Sequence, residues 1–194
     1  WQEFVRSGSP AEEEIKSQEE AEMLKNGIVE QGFGPFANNI VMVKKQDGTP
    51  RFCIDFRRLN DISRRDAFPL ARIDEVLDCV GRAKIFSVMD CASAFWSIAV
   101  HPEHKERTAF VSKVYGLLQF VRMPFGLRNA TATYSRAMTH VLRGLLWRQV
   151  VMYVDDACVL GESHEDHLEG LKAVLTRFLI NGVSLKLSKC KFGI

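Results

Sequence analysis

At 194 residues, 46% of them hydrophobic, the chain can build one sizeable core or one domain plus a small lobe. No run of about 18 apolar residues offers a membrane span, and no basic, apolar, small-residue pattern reads as a signal peptide, so neither a membrane-spanning nor a secreted protein is expected. The formal net charge of +2 divides unevenly: residues 1–31 hold eight acids against three Lys or Arg, net −5, and residues 32–194 hold 23 Lys or Arg against 16 acids, net +7. A basic excess at Lys44-Lys45, Arg51, Arg57-Arg58 and Arg64-Arg65 suits a phosphate-bearing partner, and equally a solvated surface. Five scattered cysteines, an odd number with no C-x-x-C pair, argue against a disulfide framework or a zinc site and read as reduced thiols.

In chain order, Trp1 to Pro10 lacks periodicity and reads as a loose end, and with Trp in first place the chain reads as a fragment. Ser9-Pro10 before Ala11-Glu-Glu-Glu14 predicts a helix start, with Pro in the first turn and acids at the positive end of the dipole. The helix should run through Met23, Leu24 and Lys25 to Asn26-Gly27. Gly32 to Pro35 is a loop. Ile40–Lys45 and Arg51–Phe56 are predicted strands joined by Gln46-Asp-Gly-Thr-Pro50, whose Asp-Gly is a turn signal. Lys45 and Arg51 then flank the turn, either as two cations converging on phosphate or as charges that protect an edge hairpin from aggregation.

Arg57 to Pro69 is polar and turn-rich, and Ile73, Val76, Leu77 and Val80 show helical spacing within Leu70–Val80, ended by Gly81. Ile85–Asp90 is a strand that delivers an acid at its C-terminal end, and Ser93–Ser97 predicts a short helical turn. His101 and His104 share a polar loop with Glu103, Lys105 and Glu106 and read as solvated surface rather than ligands. Thr108–Ser112 and Leu117–Met123 form a hairpin around Tyr115-Gly116. Phe125-Gly126 opens a long helix, about Asn129–Leu145, with an apolar face for the sheet.

Val150–Val154 and Ala157–Leu160 predict a hairpin with Asp155-Asp156 at its tip. Ser163-His-Glu-Asp166 is a capping box, which puts His164 and His167 on the surface of a first turn. Leu168, Leu171, Leu175, Phe178 and Leu179 follow as the core face, Asn181-Gly182 ends the helix, and Val183–Phe192 is a last strand. Strands and helices mixed in this order predict an α+β fold, an antiparallel sheet packed on helices.

The chemistry concentrates at the acids. Two carboxylates about 4 Å apart repel by roughly 4 kcal/mol at an effective dielectric near 20, so a cation is expected beside Asp155 and Asp156. An ordinary solvated turn has the same composition. The second strand-borne acid, Asp90, favours an oxygen-rich site for hard divalent cations and phosphoryl transfer.

Tyr153-Val-Asp-Asp156 resembles the Y-x-D-D box of reverse transcriptases, and Phe86-Ser-Val-Met-Asp90 with Ala94-Phe-Trp-Ser97 resembles the strand carrying their first catalytic Asp. Arg51–Asn60 is similar to their fingers motif, Arg122–Asn129 to the palm motif before its long helix, and Leu185–Phe192 to the segment after the last palm helix. In that order and spacing the boxes resemble the polymerase of gypsy-type LTR retrotransposons over about residues 20–194. The departures are Phe36-Ala-Asn-Asn39 in the fingers loop, Thr131 where the family has Pro, Ser135 where it often has Gln, and Ala94 and Ser97 where Gly and Gln are common.

The resemblance implies a fingers-palm fold with an N-terminal extension at 1–19, fingers at 20–84 and palm at 85–194, about 102–123 belonging to the fingers and the chain ending before the thumb. It implies an RNA-directed DNA polymerase that adds deoxynucleotides (dNTPs) to a primer 3′ end by two-metal phosphoryl transfer. Asp90, Asp155 and Asp156 are its expected catalytic residues and the ligands of two Mg2+ ions, with Mn2+ as an alternative. Lys45, Arg51, Cys91, Ala92, Phe95 and Phe125 are expected at the nucleotide, and Arg57, Gly126 and Tyr153 at the template-primer. Phe95 stands five residues after Asp90, where the family places an aromatic ring under the incoming sugar; a core role is its other reading.

Expected partners are an RNA or DNA template-primer, dNTPs and the thumb, connection and ribonuclease H domains of a polyprotein, without a membrane. The expected location is the cytoplasm, a virus-like particle or the nucleus. Two rivals stand beside this reading: another palm-type nucleotidyltransferase such as a cyclase, which needs no fingers hairpin, and an inactive nucleic-acid-binding remnant lacking thumb and ribonuclease H.

Overall fold

The computed structural model describes residues 9–44, 48 and 50–194. In chain order these form α1 Pro10–Lys25, β1 Val29–Gln31, β2 Ile40–Lys44, β3 Pro50–Ile54, α2 Arg57–Ile62, α3 Ile73–Val80, β4 Ile85–Asp90, β5 Phe110–Ser112, β6 Gly116–Phe120, α4 Ala130–Val141, β7 Val150–Tyr153, β8 Asp156–Gly161 and α5 His164–Ile180, with three short 3-10 turns. They divide into two compact units, the first made of the chain up to Arg65 with Ile98–Ala130, the second of Asp66–Ser97 with Thr131–Ile194. All strand pairs within the three sheets are antiparallel, giving the α+β class expected. Among the described residues no helix is long and apolar enough to cross a membrane.

In the first unit α1 begins at the predicted cap. The Ser9 hydroxyl accepts from the Glu12 amide at 3.3 Å, and the Glu12 carboxylate accepts from the Ser9 amide at 3.0 Å. Two sheets follow, β1-β6-β5 and the β2-β3 hairpin. Their aromatic side chains meet in one cluster: Phe110 lies 5.4 Å from Phe120 and 5.9 Å from Phe52, and Phe56 lies 6.4 Å from Phe120, ring centre to ring centre. The segment from Arg57, expected as turns, instead begins with α2. Asn60 explains it: its amide donates to the Gly126 carbonyl at 2.8 Å and its carbonyl accepts from the Arg128 amide at 2.7 Å. Tertiary bonds, not propensity, order this helix.

One buried carboxyl ties α1 to the sheet. The Ser112 hydroxyl donates to Glu20 at 2.6 Å and accepts the amides of Val114 and Tyr115 at 3.1 and 2.9 Å. Glu20 is itself buried, and that burial pushes its carboxyl above the ordinary range, against the lowering effect of the Ser112 bond.

The second unit holds the sheet β4-β8-β7, with α5 packed against β8 and β4. β4 has the predicted bounds. α4 is shorter than predicted, ending at Val141, and the left-handed Gly144, φ +84°, turns the chain toward β7. α3 follows the predicted helical spacing, with Ile73 and Leu77 exposed.

α5 buries Phe178 as predicted but otherwise turns a different face inward. The residues it buries are His167, Gly170, Val174 and Phe178, whereas Leu168 and Leu179 are 50% and 82% exposed. The cause is a close approach at Gly161, where a Cβ would come within 2.6 Å of the His167 Cα. His167, expected on the surface, is buried with its Nε2 3.0 Å from the Ser87 hydroxyl, which also accepts the Gly193 amide at 3.1 Å. The capping box is half made: Ser163 accepts from the Asp166 amide at 3.2 Å, but the Asp166 carboxylate turns to the Glu162 amide at 3.0 Å. The predicted last strand is also interrupted. Leu185 and Lys191 bridge to Cys91 and Val88, and a 3-10 turn, Leu187–Lys189, rises between them.

A carboxyl whose pKa is raised by folding stabilises fully below its unfolded value, and that contribution is lost as pH rises through the folded value. Chain stability should therefore fall as pH climbs above about 4.5, the ordinary value for Glu20, and Glu20→Gln should remove that part of the slope. Urea unfolding of both chains from pH 4 to 8 measures it; parallel curves would assign the slope to other groups.

Candidate active site

The register of the second sheet decides where the acids lie. β4 and β8 pair with Met89 opposite Ala157 and Asp90 opposite Asp156. β7 and β8 close with Tyr153 opposite Asp156, so the two-residue loop is Val154-Asp155. The tip is thus one residue earlier than predicted, and Asp156 is already the first residue of β8. The Asp155 carbonyl accepts the Cys91 amide at 3.3 Å, which brings the turn against the end of β4. Val154 takes the left-handed conformation, φ +56°, at the first loop position, where a hairpin normally uses Gly.

Three carboxylates therefore gather at one end of the sheet. Directly opposed strand residues have Cβ atoms about 5 Å apart, and like charges there are unfavourable. The Asp156 carboxyl is pushed up, first by partial desolvation and then by Asp155 and Asp90, with Lys189 pulling it back down. The compensating cation is visible: the Lys189 ammonium lies 3.0 Å from Asp90 Oδ2. Its own pKa is raised by that bond and by all three acids.

The donor set is all carboxylate oxygen, which suits a hard divalent cation, and a lysine ammonium already occupies cation space against it. Among the described residues no three His, Cys, Asp or Glu side chains lie together in an ion-holding set. The Asp90 carboxylate faces Lys189 instead. The neighbouring Cys91 thiol is buried and pushed up to about 11, chiefly by that burial, so it stays protonated and offers no thiolate.

The other predicted residues of this unit are Phe95, Cys91, Ala92 and Tyr153. Phe95 is half-buried on a 3-10 turn, Ala94–Ser97, its ring 5.7 Å from and nearly perpendicular to that of Tyr134. The Tyr134 hydroxyl, buried beside the Cys91 thiol, has no nitrogen or oxygen partner among the described residues. The amides of Cys91 and Ala92 are both engaged, by the carbonyls of Asp155 and Ser184 at 3.3 and 2.8 Å. Tyr153 is exposed at the end of β7 and lines a groove of about 340 Å³ with Phe68, Leu70, Met138, Trp147 and Met152.

The remaining candidates belong to the first unit. Lys45 lies outside the described residues. Arg51, on β3, sets its guanidinium 5.1 Å from the centre of the Phe125 ring, a cation–π contact. Gly126, φ +89°, provides a left-handed turn, and its carbonyl accepts from Asn60. Arg57 is largely consumed by Asp55, with Nε to Oδ1 at 2.9 Å and Nη2 to Oδ2 at 2.6 Å, and this fork holds the Asp55 carboxyl down at about 2. Asn60 and Lys189 were missed in the sequence. Asn60 sits in a polar stretch, and Lys189 is one of three lysines after α5 that only the bridges to β4 distinguish.

Comparison with known proteins follows the same residues. A family model described as reverse transcriptase (RNA-dependent DNA polymerase) matches residues 43–194. A retrovirus-related Pol polyprotein from transposon 297 of Drosophila melanogaster is 36% identical over 176 residues, covering 88% of this chain and 16% of that polyprotein. The corresponding polyprotein from transposon gypsy of the same species is 32% identical over 177 residues, covering 88% of this chain and 17% of its own length. The chain thus spans about a sixth of the length of these relatives. A solved foamy viral protease-reverse transcriptase in complex with an RNA/DNA hybrid superposes with a TM-score of 0.86 at 23% identity, over 97% of this chain and 25% of that one. That likeness is one of fold.

The strain at Val154 can be measured. A left-handed conformation costs a non-glycine residue about 1–2 kcal/mol, so Val154→Gly should stabilise the chain by about 1 kcal/mol or less, once the added freedom of the unfolded glycine is subtracted. Chemical denaturation reads it; a clear loss of stability would mean that the Val154 side chain contributes more by packing than its backbone costs.

Proposed function

Because the chain belongs to the reverse transcriptase (RNA-dependent DNA polymerase) family, we propose that it carries the polymerase centre of a retrotransposon polyprotein and extends a primer 3′ end with deoxynucleotides. The observation that carries this reading is the register that sets Asp90 opposite Asp156 with Asp155 on the adjoining turn. We assign the first unit to the fingers and the second to the palm. Two Mg2+ ions held by Asp90, Asp155 and Asp156 would supply activation of the primer hydroxyl and charge neutralisation at the triphosphate.

The chain's own residues do the positioning. Asp155, on the turn, and Asp90, at a strand end, are fixed by backbone pairing rather than by flexible loops, as positioned catalytic groups require. Arg51 offers a guanidinium to phosphate oxygens, and its stacking on Phe125 limits the freedom it must lose on binding. We assign Phe95 to the exclusion of a 2′-hydroxyl, and the Tyr134 ring stands against its side. Tyr153 and Gly126 are assigned to the template-primer, and Arg57 contributes there only with the part of its fork that Asp55 leaves over. Cys91 and Ala92 are assigned to the nucleotide as neighbours of Asp90, their amides being committed within the fold. The partners are RNA and DNA strands and the polyprotein's further domains, in the cytoplasm, a virus-like particle or the nucleus.

Primer extension on poly(rA)/oligo(dT) with Mg2+ tests the activity. The wild-type chain should extend the primer, and Asp155→Asn should lose about 10²-fold or more. Binding of the template-primer with no extension by either chain would favour the inactive nucleic-acid-binding remnant.

Sugar selection tests Phe95. Phe95→Val should raise ribonucleotide use relative to deoxyribonucleotide, with a stability loss of about 3 kcal/mol at most. Unchanged discrimination by a folded, active variant would leave Phe95 as a core residue.

A further inference from the structure

The segment after α5 is zipped to the free edge of β4. The Ala92 amide donates to the Ser184 carbonyl at 2.8 Å, the Lys186 amide to Asp90 at 2.9 Å, and Val88 and Lys191 exchange two bonds of 2.8 Å each. Between these ties the chain has more residues than β4 has partners for, and the excess forms the 3-10 turn Leu187–Lys189, closed by Lys189 and Cys190 amides to Lys186 and Leu187 carbonyls at 2.9 and 3.1 Å. The Cys190 thiol also donates to the Lys186 carbonyl at 3.4 Å. The turn therefore has a fixed place on the edge of β4, and of Lys186, Lys189 and Lys191 only Lys189 reaches an acid among the described residues. Asp90, the carboxylate it takes, is the one that would have to join Asp155 and Asp156 to complete an ion-holding set.

We propose that Lys189 is the resident counter-ion of this acid site: its ammonium holds the Asp90 carboxylate out of a joint set with Asp155 and Asp156, and a divalent cation binds only by exchanging with it. Lys189 acts through Asp90 and is a positioning residue. The proposal rests on the reading of the three acids as the cation site. With Lys189 in place, entry of a cation requires the loss of one charge-assisted hydrogen bond and a rotation of the Asp90 side chain. The exchange makes intrinsic affinity weak and keeps the opposed acids compensated when no ion is bound. It also gives Lys189 a role that its charge alone can perform, so Arg should substitute for it and Met should not.

The experiment is a Mn2+ titration of the full chain, with free ion counted by electron paramagnetic resonance, so that no catalysis is involved. Lys189→Met should bind Mn2+ about two- to fivefold more tightly than wild type, the range expected for an exposed ion pair, while Lys189→Arg stays near wild type. In EDTA, Lys189→Met should melt below wild type, and Mn2+ should raise its melting temperature by more than it raises that of wild type. Equal Mn2+ affinity in wild type and Lys189→Met, when Asp90→Asn abolishes binding, would overturn the counter-ion role and leave the acid site standing. Mn2+ binding that Asp90→Asn and Asp155→Asn do not weaken would overturn the acid site itself, and the counter-ion role with it.

Discussion

The constraint on which this structure turns is the backbone register that holds like charges together. Asp90 and Asp156 are opposed because β4 and β8 pair over six residues, and the same pairing buries Ser87 and Met89 on one strand and Ala157 and Val159 on the other. A slip of either strand by one residue would turn its two buried side chains to the wrong face. The core thus fixes the acids against their own repulsion, and side-chain rotation is the freedom left to them. Compensation must come from outside the strands, and the structure supplies it from the segment bridged to the open edge of β4.

A short apolar run that ends in an acid is the part of this arrangement that sequence shows well. β4 is readable from Ile85 to Asp90 because β-branched and apolar residues run up to an acid and then stop. The hairpin was legible as a hairpin but not to the residue. Asp-Asp looks like the turn because Asp tolerates tight turns, while Val154 looks like strand. Which residue takes the left-handed conformation is settled by the register in which β7, β8 and β4 pair, which single-residue propensity does not encode. Lys189 was illegible for the same reason. Its significance depends on which lysine of three faces a strand about 100 positions earlier, and an interrupted edge strand has no clean period to predict that.

α5 shows a different failure, one of amplitude rather than period. Leu168, Leu171, Leu175 and Leu179, read with Phe178 as the core face, form a convincing stripe, yet of that face Phe178 is buried, together with His167, Gly170 and Val174. Two stripes a quarter turn apart compete, and the weaker wins because Gly161 lets the first turn of α5 come into backbone contact with the end of β8. Once the helix is that close, His167 meets Ser87, and a Cβ on Gly170 would come within 3.5 Å of the Val159 and Gln149 side chains. Close approach and a satisfied buried polar pair outweigh additional leucine burial at this contact. Hydrophobic periodicity cannot register either term, since it scores His and Gly as the residues least suited to a core.

Cations in the first unit follow a related rule: what a charge can do for a ligand depends on what already holds it. By sequence Arg51 and Arg57 are equivalent basic residues. In the fold Arg57 spends two donors on Asp55, which is depressed to about 2 in consequence, whereas Arg51 rests on an aromatic face that accepts no hydrogen bond and has no carboxylate partner among the described residues. An arginine held by a carboxylate must give up or share that partner to take a phosphate, and its net contribution is a difference between two strong bonds. One held by a ring keeps its five donors while its position is still restricted. The Arg57–Asp55 fork instead sits at the start of α2, where the Asp55 carboxylate also accepts the Arg57 amide at 3.1 Å. That helix carries Asn60, and Asn60 in turn fixes the Gly126–Arg128 loop beside Phe125. The basic residue that composition would place at a ligand is thus tied into the scaffold, which orders the loop that precedes α4.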